Sequence, residues 1–314
     1  MNFSVVFPGQ GSQSVGMLAE LAQAYPVVTD TFTEASDVVG TDYWQLAQTG
    51  TNDVLGDTRV TQPLMFTSDI AVWRALQQAG LPMPTVVAGH SLGEFAALVA
   101  ADALDFTDAL SLVYKRAQLM AEAVPEGQGG MAALIGMDDD AVISVCEDTT
   151  GERIVEAVNF NAPGQVAISG HKDALEKAVE LAKERGARKG VMLAVSVPNH
   201  SSLMRDAGQT LAESIERISW RTPTIPVVQN AQASVPANND DMIGSLKAHM
   251  FSPVQWTKSI QTMRDQFNVA LVLESGPGKV LSGLGKRIDK TMKTLPTDTP
   301  DALTLAVEST TAEA

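Results

Sequence analysis

The sequence has one cysteine, no long apolar run and little positive charge. Cys146 is the only cysteine in 314 residues, which excludes a disulfide framework and a cysteine-based zinc site and fits a reducing compartment. No apolar run approaches the ~18 residues of a membrane span, and no basic segment precedes an apolar one at the amino terminus. We therefore expect a cytoplasmic protein with no membrane contact, no bound metal and Cys146 as a small buried residue.

The shortage of positive charge limits the possible partners. Lys and Arg number 22 against 37 Asp and Glu, which leaves a net charge of -15. A nucleic-acid surface is not expected, and an acidic partner would need a local basic patch. The length predicts about two domains, and 45% hydrophobic residues are enough for a sizeable core.

The most informative stretch is a strand, a sharp turn and a helix. Residues 86–88 are predicted to form a buried strand and residues 92–103 a helix, so Ser91 falls at the corner between them. Glycines stand two residues before and two after the serine, as a crowded turn requires. This is the layout of a nucleophile elbow, which exposes a hydroxyl above the sheet. Ser91 and Glu94 also fit a capping box, but the strand, the paired glycines and His90 favour the nucleophile.

A glycine loop follows the first predicted strand, Phe3 to Phe7, and leads to a helix predicted from about Val15. Gly9 and Gly11 in this loop resemble the start of a dinucleotide fingerprint. Ser14 replaces the third glycine, and no second strand ends in an acidic residue at the required distance. We expect the loop to bring a backbone N–H close to a reacting atom instead.

Arg116 interrupts an apolar helix face. A helix is predicted from Thr107, as its cap, to about Val124, and Arg116 lies among the side chains that should be buried. A buried guanidinium needs an anion. An internal Asp or Glu and the carboxylate of a substrate are both open at this point.

The middle of the chain predicts a small separate unit. The expected strands and helices alternate β-α-β-β-α-β, as in a ferredoxin-like domain. Residues 1–126 and 198–314 are predicted to form a large discontinuous domain, and residues 127–197 the inserted one. The last ~15 residues are expected to be loosely held. In the small unit, strands are predicted at 131–137, 154–160, 165–169 and 191–197, and helices at 138–146 and 172–185.

One of four histidines is the candidate base for Ser91. His200 follows the last strand of the inserted unit and precedes a helix predicted at 202–218, where the chain re-enters the large domain. His90 points across the elbow, and His171 lies in a polar turn. His249 is the remaining competitor.

Several motifs together resemble one family, the malonyl-CoA:acyl-carrier-protein transacylases of bacterial fatty acid synthesis. The resemblance extends from about Phe3 to Ile288 and depends on their order and spacing. The motifs are Phe7-Pro-Gly-Gln-Gly-Ser-Gln13, Gly89-His-Ser-Leu-Gly-Glu94, Arg116, Asn159-Phe-Asn-Ala-Pro-Gly-Gln165, Val195-Ser-Val-Pro-Asn-His200 and Glu274-Ser-Gly-Pro-Gly-Lys279.

The resemblance implies a fold and a set of roles. The fold would be an α/β-hydrolase-like core with a parallel sheet and an inserted ferredoxin-like subdomain. Ser91 would carry the malonyl group as an ester and His200 would be the base. Backbone amides of Gln10 and Leu92 would form the oxyanion hole, and Arg116 would bind the malonyl carboxylate. Coenzyme A would enter as a thioester substrate, with no tightly bound cofactor.

The resemblance also implies supporting residues and a partner. The main-chain carbonyl of His249, at a position where glutamine is common, would orient the catalytic imidazole. Asn159 and Asn161 match positions near the pocket, but they could equally be turn formers. The partner would be an acidic acyl carrier protein, and the enzyme a monomer. Two basic clusters could dock the carrier: Lys183, Arg185, Arg188 and Lys189, or Lys279, Lys286, Arg287 and Lys290.

Two other functions compete with this reading. A serine esterase or thioesterase would share the elbow, but the sequence has no HGGG-type loop and no clear acidic triad member between Ser91 and His200. A buried Arg116 also has no task in a simple esterase. A non-catalytic module that docks the carrier protein is the second alternative.

Overall fold

A parallel sheet lies at the centre of the larger part of the molecule. Its strands are β1 (Phe3–Phe7), β2 (Val86–Gly89), β7 (Val227–Val228), β8 (Leu271–Glu274) and β9 (Lys293–Pro296). This computed structural model describes residues 1–125, 127–195 and 197–311. The strand order is β7-β2-β1-β8-β9, and every neighbouring pair is parallel. The three central strands are fully buried, as expected where helices cover both faces of a parallel sheet.

Helices pack on both faces of this sheet. The longest, α5, has 21 residues and is buried along most of its length. The helices before the small sheet are α1 (Ala19–Ala24), α2 (Val27–Val39), α3 (Tyr43–Thr49), α4 (Asn52–Gly56), α5 (Thr58–Gln78), α6 (Gly93–Ala100) and α7 (Phe106–Glu122). Those after it are α10 (Arg205–Ile215), α11 (Asn239–Ala248), α12 (Trp256–Phe267), α13 (Val280–Ile288) and α14 (Pro300–Thr311). None of the helices in the described ranges has both the length and the apolar character needed to span a bilayer.

A second, antiparallel sheet has its own small core. Its elements are β3 (Gly129–Ile135), α8 (Asp139–Thr149), β4 (Val155–Ala162), β5 (Gln165–His171), α9 (Lys172–Glu184) and β6 (Lys189–Met192). The strand order β4-β5-β3-β6 is that of a ferredoxin-like sheet, which confirms the expected β-α-β-β-α-β order. Cys146 is buried in the core of this sheet, as expected.

The two sheets are joined by main-chain hydrogen bonds. Val254, in the segment before α12, donates to the Val158 carbonyl and accepts from the Phe160 amide on β4, at 2.8 and 2.9 Å. The division into domains at 126/127 and 197/198 stays a prediction. Two of the residues on which it depends, Glu126 and Ser196, lie outside the described ranges.

Some element bounds were predicted wrongly. The last strand of the small sheet is β6 and not 191–197, because the register with β3 covers Lys189–Met192 and the chain leaves the sheet after one further bond, from the Leu193 amide to the Met131 carbonyl. Asp105, and not Thr107, is the N-cap of α7. The helix expected at 202–218 begins as a 3-10 turn at Ser202–Met204 and ends at Ile215.

Residues 300–311, most of the segment expected to be loosely held, form helix α14, which corrects the expectation for them; residues 312–314 lie outside the described ranges. Helix α14 buries Leu303 and Ala306 and packs against α1 and β9. Its apolar residues recur at helical spacing, and this pattern offsets the Thr- and Ala-rich composition. Strand β9 was not expected from the sequence.

Candidate active site

Ser91 occupies a tight corner between β2 and α6. Its φ of 51° lies in the left-handed region, which is uncommon for a residue other than glycine. The flanking glycines are needed because the backbones approach so closely. A Cβ on Gly89 would lie 1.9 Å from the Gly93 carbonyl carbon, and one on Gly93 would lie 2.1 Å from the Phe7 oxygen. The corner has the geometry of a nucleophile elbow.

The Ser91 hydroxyl contacts a histidine and does not cap the helix. Its Oγ lies 2.6 Å from Nε2 of His200. The N-cap of α6 is Leu92, which makes no side-chain cap bond, and Glu94 directs its carboxylate elsewhere. The capping-box interpretation is therefore not what the structure shows, and the serine oxygen is available for chemistry.

His200 is held by main-chain carbonyls. Its Nδ1 lies 3.1 Å from the oxygens of both His249 and Ser252, so the ring donates there and presents Nε2 as an acceptor to Ser91. The side chain is 3% exposed. Burial, and then the charge of Arg116, lowers the pKa of His200 to about 3. The imidazole is neutral near pH 7, as a general base must be.

Arg116 lies buried near this pair with a vacant hydrogen-bonding position. The side chain is 1% exposed, Nη1 donates to Oε1 of Gln62, and Nε has no partner among the described residues. Burial lowers its pKa to about 10, an effect that Glu94 opposes, so the guanidinium stays charged near pH 7. Within the described ranges no Asp or Glu forms an ion pair with it. The internal-acid alternative is thus not observed.

A chain of amide and hydroxyl groups leads from Arg116 to the glycine loop. Gln62 Nε2 donates to the Thr58 hydroxyl at 2.8 Å, and Gln10 Nε2 donates to the same oxygen at 3.2 Å. Thr58 also lines a cavity of about 540 Å³. Sequence reasoning missed Gln62, although its place on α5, just before Pro63, marks a polar residue in an apolar helix. The other lining residues are Asn52, Asp53, Gly56, Asp57, Arg59, Ala121, Val124, Ala194 and Val197.

The two expected oxyanion-hole residues lie next to the elbow. Gly9 approaches so closely that an added Cβ would lie 2.8 Å from the His90 oxygen. Gln10 is therefore adjacent to the elbow from one side, and Leu92 directly follows the serine. Their backbone amides stay candidates for binding an oxyanion.

A buried carboxylate braces the elbow through one asparagine. Asn230 accepts from the Ser91 amide at 2.7 Å and donates from Nδ2 to the Gly89 carbonyl at 2.6 Å. Glu94 accepts from the Asn230 amide at 2.7 Å, from Asn230 Nδ2 at 2.5 Å and from Gln229 Nε2 at 3.1 Å. Burial raises the pKa of Glu94 to about 7 against these bonds. The only sequence signal was a Gln-Asn pair directly after the apolar β7.

Asn159 and Asn161 lie on β4 and not in the turn, which consists of Pro163 and Gly164. Asn161 Oδ1 lies 2.7 Å from Nε2 of His90, whose ring packs edge-on against Trp256 at 5.3 Å. Asn159 is buried, and its Oδ1 has no partner among the described residues. Asn161 therefore contacts the elbow through His90.

The ring of His249 lies against the reacting pair. Its centroid is 5.4 Å from that of His200 and 5.8 Å from that of Phe95, and both contacts are edge-on. Burial and then the charge of Arg116 hold the pKa of His249 well below its usual value, an effect that the main chain of Ser91 opposes by hydrogen bonding. The structure thus brings Ser91, His200, Arg116 and His249 into one site.

The site combines a nucleophile elbow at the carboxyl edge of a parallel sheet with a histidine that is hydrogen-bonded to the serine. This combination is typical of enzymes that transfer acyl groups through a serine. Residues 4–282 match the family profile described as acyl transferase domain. The chain belongs to this acyl transferase family and, within it, to the malonyl CoA-acyl carrier protein transacylases.

Relatives across nearly the whole chain support that membership. The malonyl CoA-acyl carrier protein transacylase of Escherichia coli K12 is 47% identical over 306 residues, covering 98% of this chain and 99% of that protein. The protein of the same name from Bacillus subtilis 168 is 40% identical over 305 residues, covering 97% and 96%.

Solved structures confirm the fold class. The malonyl CoA-acyl carrier protein transacylase of Coxiella burnetii superposes with a TM-score of 0.97 at 41% identity, covering 99% of this chain and 98% of that one. A malonyl-transacylase solved in complex with its type II polyketide synthase acyl-carrier protein gives a TM-score of 0.96 at 44% identity, covering 98% and 100%.

Proposed function

We propose that this enzyme moves a malonyl group from malonyl-CoA to the pantetheine thiol of acyl carrier protein, through an ester on Ser91, for fatty acid biosynthesis. One observation carries the proposal: a Ser91–His200 pair shares its site with the buried Arg116, which has no carboxylate partner among the described residues. Such a pair transfers acyl groups, and such an arginine selects an acyl group that carries its own carboxylate.

The first half-reaction loads the serine. His200 Nε2 takes the proton of Ser91 Oγ as the oxygen attacks the thioester carbonyl carbon. The negative charge on the carbonyl oxygen is stabilised by the backbone amides of Gln10 and Leu92. The carbon–sulfur bond then breaks, and the departing coenzyme A sulfur takes the proton from the imidazolium.

The second half-reaction unloads the serine in the reverse sense. The carrier protein's thiol gives its proton to His200 and attacks the ester carbonyl. The bond to Ser91 Oγ breaks, and the serine recovers its proton from His200. The carbonyl oxygens of His249 and Ser252 keep the ring in the orientation that both steps need.

Arg116 explains why transfer is favoured over hydrolysis. A carboxylate bound to its guanidinium fixes the malonyl group in one pose, which favours the thiol that arrives in the correct geometry over randomly placed water. The cavity beside Thr58 has the size typical of small-molecule sites, and the hydrogen bonds through Thr58 and Gln62 link its wall to Arg116.

The remaining expectations are part of the same proposal. Malonyl-CoA is a substrate, with no tightly bound cofactor, and the enzyme works in the cytoplasm as a monomer. Among the described residues no group of three or more His, Cys, Asp or Glu side chains could hold a metal ion.

One of the two basic clusters is the better candidate for docking the carrier protein. Lys183 pairs with Glu180 and Arg185 with Asp148, which weakens the first cluster. In the second cluster, Lys279, Lys286, Arg287 and Lys290 are exposed and have no ion pair within the described ranges, and Arg287 bonds to Gln165 at the start of β5. The carrier proteins of this pathway are acidic, so this cluster complements them.

A thioesterase is the alternative that needs a direct test. The enzyme is incubated with malonyl-CoA, with and without a carrier protein that bears its pantetheine arm, and free malonate and malonyl-carrier protein are measured. Transfer predicts a stable enzyme ester without acceptor and rapid malonyl-carrier formation with it. Rapid release of malonate without acceptor would support hydrolysis. Transfer at an unchanged rate by Ser91→Ala would support a module whose serine is not catalytic.

A further inference from the structure

The backbone of His200 is held in an uncommon conformation. Its φ of 64° lies in the left-handed region, which costs energy for a residue other than glycine. Such a conformation persists only where the surrounding structure holds it in place. The hydrogen bonds of the His200 ring act on the side chain and not on the residues before and after it. Other contacts must therefore fix the chain around the base.

A carboxylate of the small sheet holds the residue two places after His200. Glu156, on β4, accepts from the Ser202 amide through Oε2 and from the Ser202 hydroxyl through Oε1, both at 2.7 Å. The 3-10 turn at Ser202–Met204 has Ser201 as its N-cap, but that side chain makes no cap bond and donates to the Pro198 carbonyl at 2.7 Å instead. Glu156 thus supplies the missing cap from another part of the fold.

Strand β4 also holds the segment that orients the His200 ring. The Val158 carbonyl accepts from the Val254 amide at 2.8 Å, and the Phe160 amide donates to the Val254 carbonyl at 2.9 Å. Val254 lies two residues after Ser252, whose carbonyl oxygen is 3.1 Å from His200 Nδ1. One strand is therefore bonded both to the chain that carries the base and to the chain that orients its ring.

We propose that Glu156 is a positioning residue, which fixes the backbone after His200 and so keeps Nε2 within hydrogen-bond reach of Ser91 Oγ. The inference rests on the proposed function, because the position of the base matters only if Ser91 is esterified. Both oxygens of Glu156 bind Ser202 and not the base itself, so the effect passes through the backbone. A small displacement of a catalytic group can slow a reaction severely. Glu156 should therefore affect the rate of ester formation with every acyl group alike.

The test compares Glu156→Ala and Glu156→Gln with the wild-type enzyme. Rapid quench with malonyl-CoA, and separately with acetyl-CoA, gives the rate constant of ester formation on Ser91 and its amplitude, which measures the fraction of active enzyme. We expect Glu156→Ala to lower the rate constant roughly tenfold with both thioesters, at full amplitude. Glu156→Gln keeps one acceptor oxygen, so its rate constant should fall less, by about threefold.

Asp138→Ala is the matched control. Asp138 also belongs to the small sheet's helices and strands and accepts from a helix amide, that of Ala141 at 2.8 Å, but the helix that it caps, α8, does not carry the base. This variant should unfold at a lower urea concentration than the wild type, with an unchanged rate constant of ester formation. An equal loss of rate in Asp138→Ala and Glu156→Ala would overturn the inference.

Two further results would overturn the role of Glu156. One is a wild-type rate constant in Glu156→Ala at any amplitude, because a merely structural side chain changes how much enzyme is active and not how fast it reacts. If that variant does not fold, a wild-type rate constant in Glu156→Gln overturns the role. The other is a loss confined to malonyl-CoA. The proposed function fails separately, if the wild-type enzyme releases malonate and never loads the carrier protein, and the rate constants of ester formation then still decide the role of Glu156.

Discussion

At the scale of single residues, the site depends on which of its buried side chains are charged and which are neutral. Burial keeps the imidazole of His200 neutral, while the guanidinium of Arg116 stays charged although it is 1% exposed. A neutral base and a fixed cation are the two groups that esterification by a carboxylate-bearing acyl group requires.

Arg116 should discriminate between acyl groups. Arg116→Ala is expected to weaken malonyl transfer by ~10- to 100-fold, from the loss of ~1.5–3 kcal/mol of charge-assisted hydrogen bonding. Acetyl transfer should suffer less or even improve. Steady-state kinetics with both thioesters measure this, and Arg74→Ala, at a partly buried arginine that pairs with Glu34, is the matched control. Equal damage to both acyl groups would mean that Arg116 is structural.

The depressed pKa of His200 should be visible in kinetics. Because burial lowers the pKa to about 3, the base is already deprotonated well below its usual titration range near pH 6.5. We expect kcat/KM for acetyl-CoA, which lacks the free carboxylate, to show no acidic limb centred near pH 6.5. A fall in rate centred there would show that His200 titrates normally in the free enzyme.

At the scale of elements, the elbow is held by polar contacts from the segment that follows β7. Strand β2, the turn and α6 place Ser91, but Asn230, two residues after β7, binds the Ser91 amide and the Gly89 carbonyl, and Glu94 binds Asn230. These bonds fix the Ser91 amide. The next amide along the chain, that of Leu92, is expected to stabilise the oxyanion.

Removal of the brace should slow the chemistry. Asn230→Ala leaves the Ser91 amide and the Gly89 carbonyl without this partner, at a cost of roughly 1–3 kcal/mol for each buried group left unpaired. The Glu94 carboxylate keeps its bonds from the main-chain amide of residue 230 and from Gln229. We expect lower stability and slower ester formation, measured by urea unfolding and rapid quench. Asn238→Ala, at the N-cap of α11, is the control: it should lose about 1 kcal/mol of stability with the rate of ester formation unchanged. An Asn230→Ala enzyme that esterifies at the wild-type rate would contradict the brace.

The elbow also shows what sequence can and cannot predict. The alternation of apolar runs and glycines predicts β2, the turn and α6, because those signals are local. The roles expected for Ser91, His200 and Arg116 came from motifs. Gln62, Gln229 and Asn230 were missed because each bonds to a residue more than 50 positions away, and no local pattern encodes such a contact.

At the scale of the whole molecule, buried histidines and buried carboxyl groups change the stability with pH in opposite directions. Burial lowers the pKa of His90, His200 and His249 and raises the pKa of Asp69 and Glu94. Below about pH 6.5 these histidines are protonated in the unfolded chain but stay neutral in the folded chain. The free energy of unfolding therefore falls as the pH falls. The raised carboxyl groups act in the opposite direction, because the folded state retains their protons and loses stability as the pH rises above about 4.

Asp69 allows the effect of a raised carboxyl pKa on stability to be measured by itself. Both carboxyl oxygens are buried without a partner among the described residues, and burial, together with the charge of Glu274, raises the pKa well above its usual value. The side chain that Asp69→Asn introduces does not titrate. The free energy of unfolding of this variant, relative to that of the wild type, should therefore be higher at pH 8 than at pH 5. Urea unfolding at both values measures the gain, with the exposed Asp37→Asn as control. An equal difference at the two pH values would contradict the raised pKa.

The central claim is that Ser91 carries the acyl group, and intact-mass spectrometry tests it most directly. The enzyme is mixed with malonyl-CoA without acceptor, and its mass is recorded before and after addition of the carrier protein with its pantetheine arm. The account predicts an increase of one malonyl group that maps to Ser91, disappears on addition of the carrier and is absent from Ser91→Ala. A wild-type enzyme that transfers malonyl while its mass never changes, or an adduct that persists in Ser91→Ala, would contradict it.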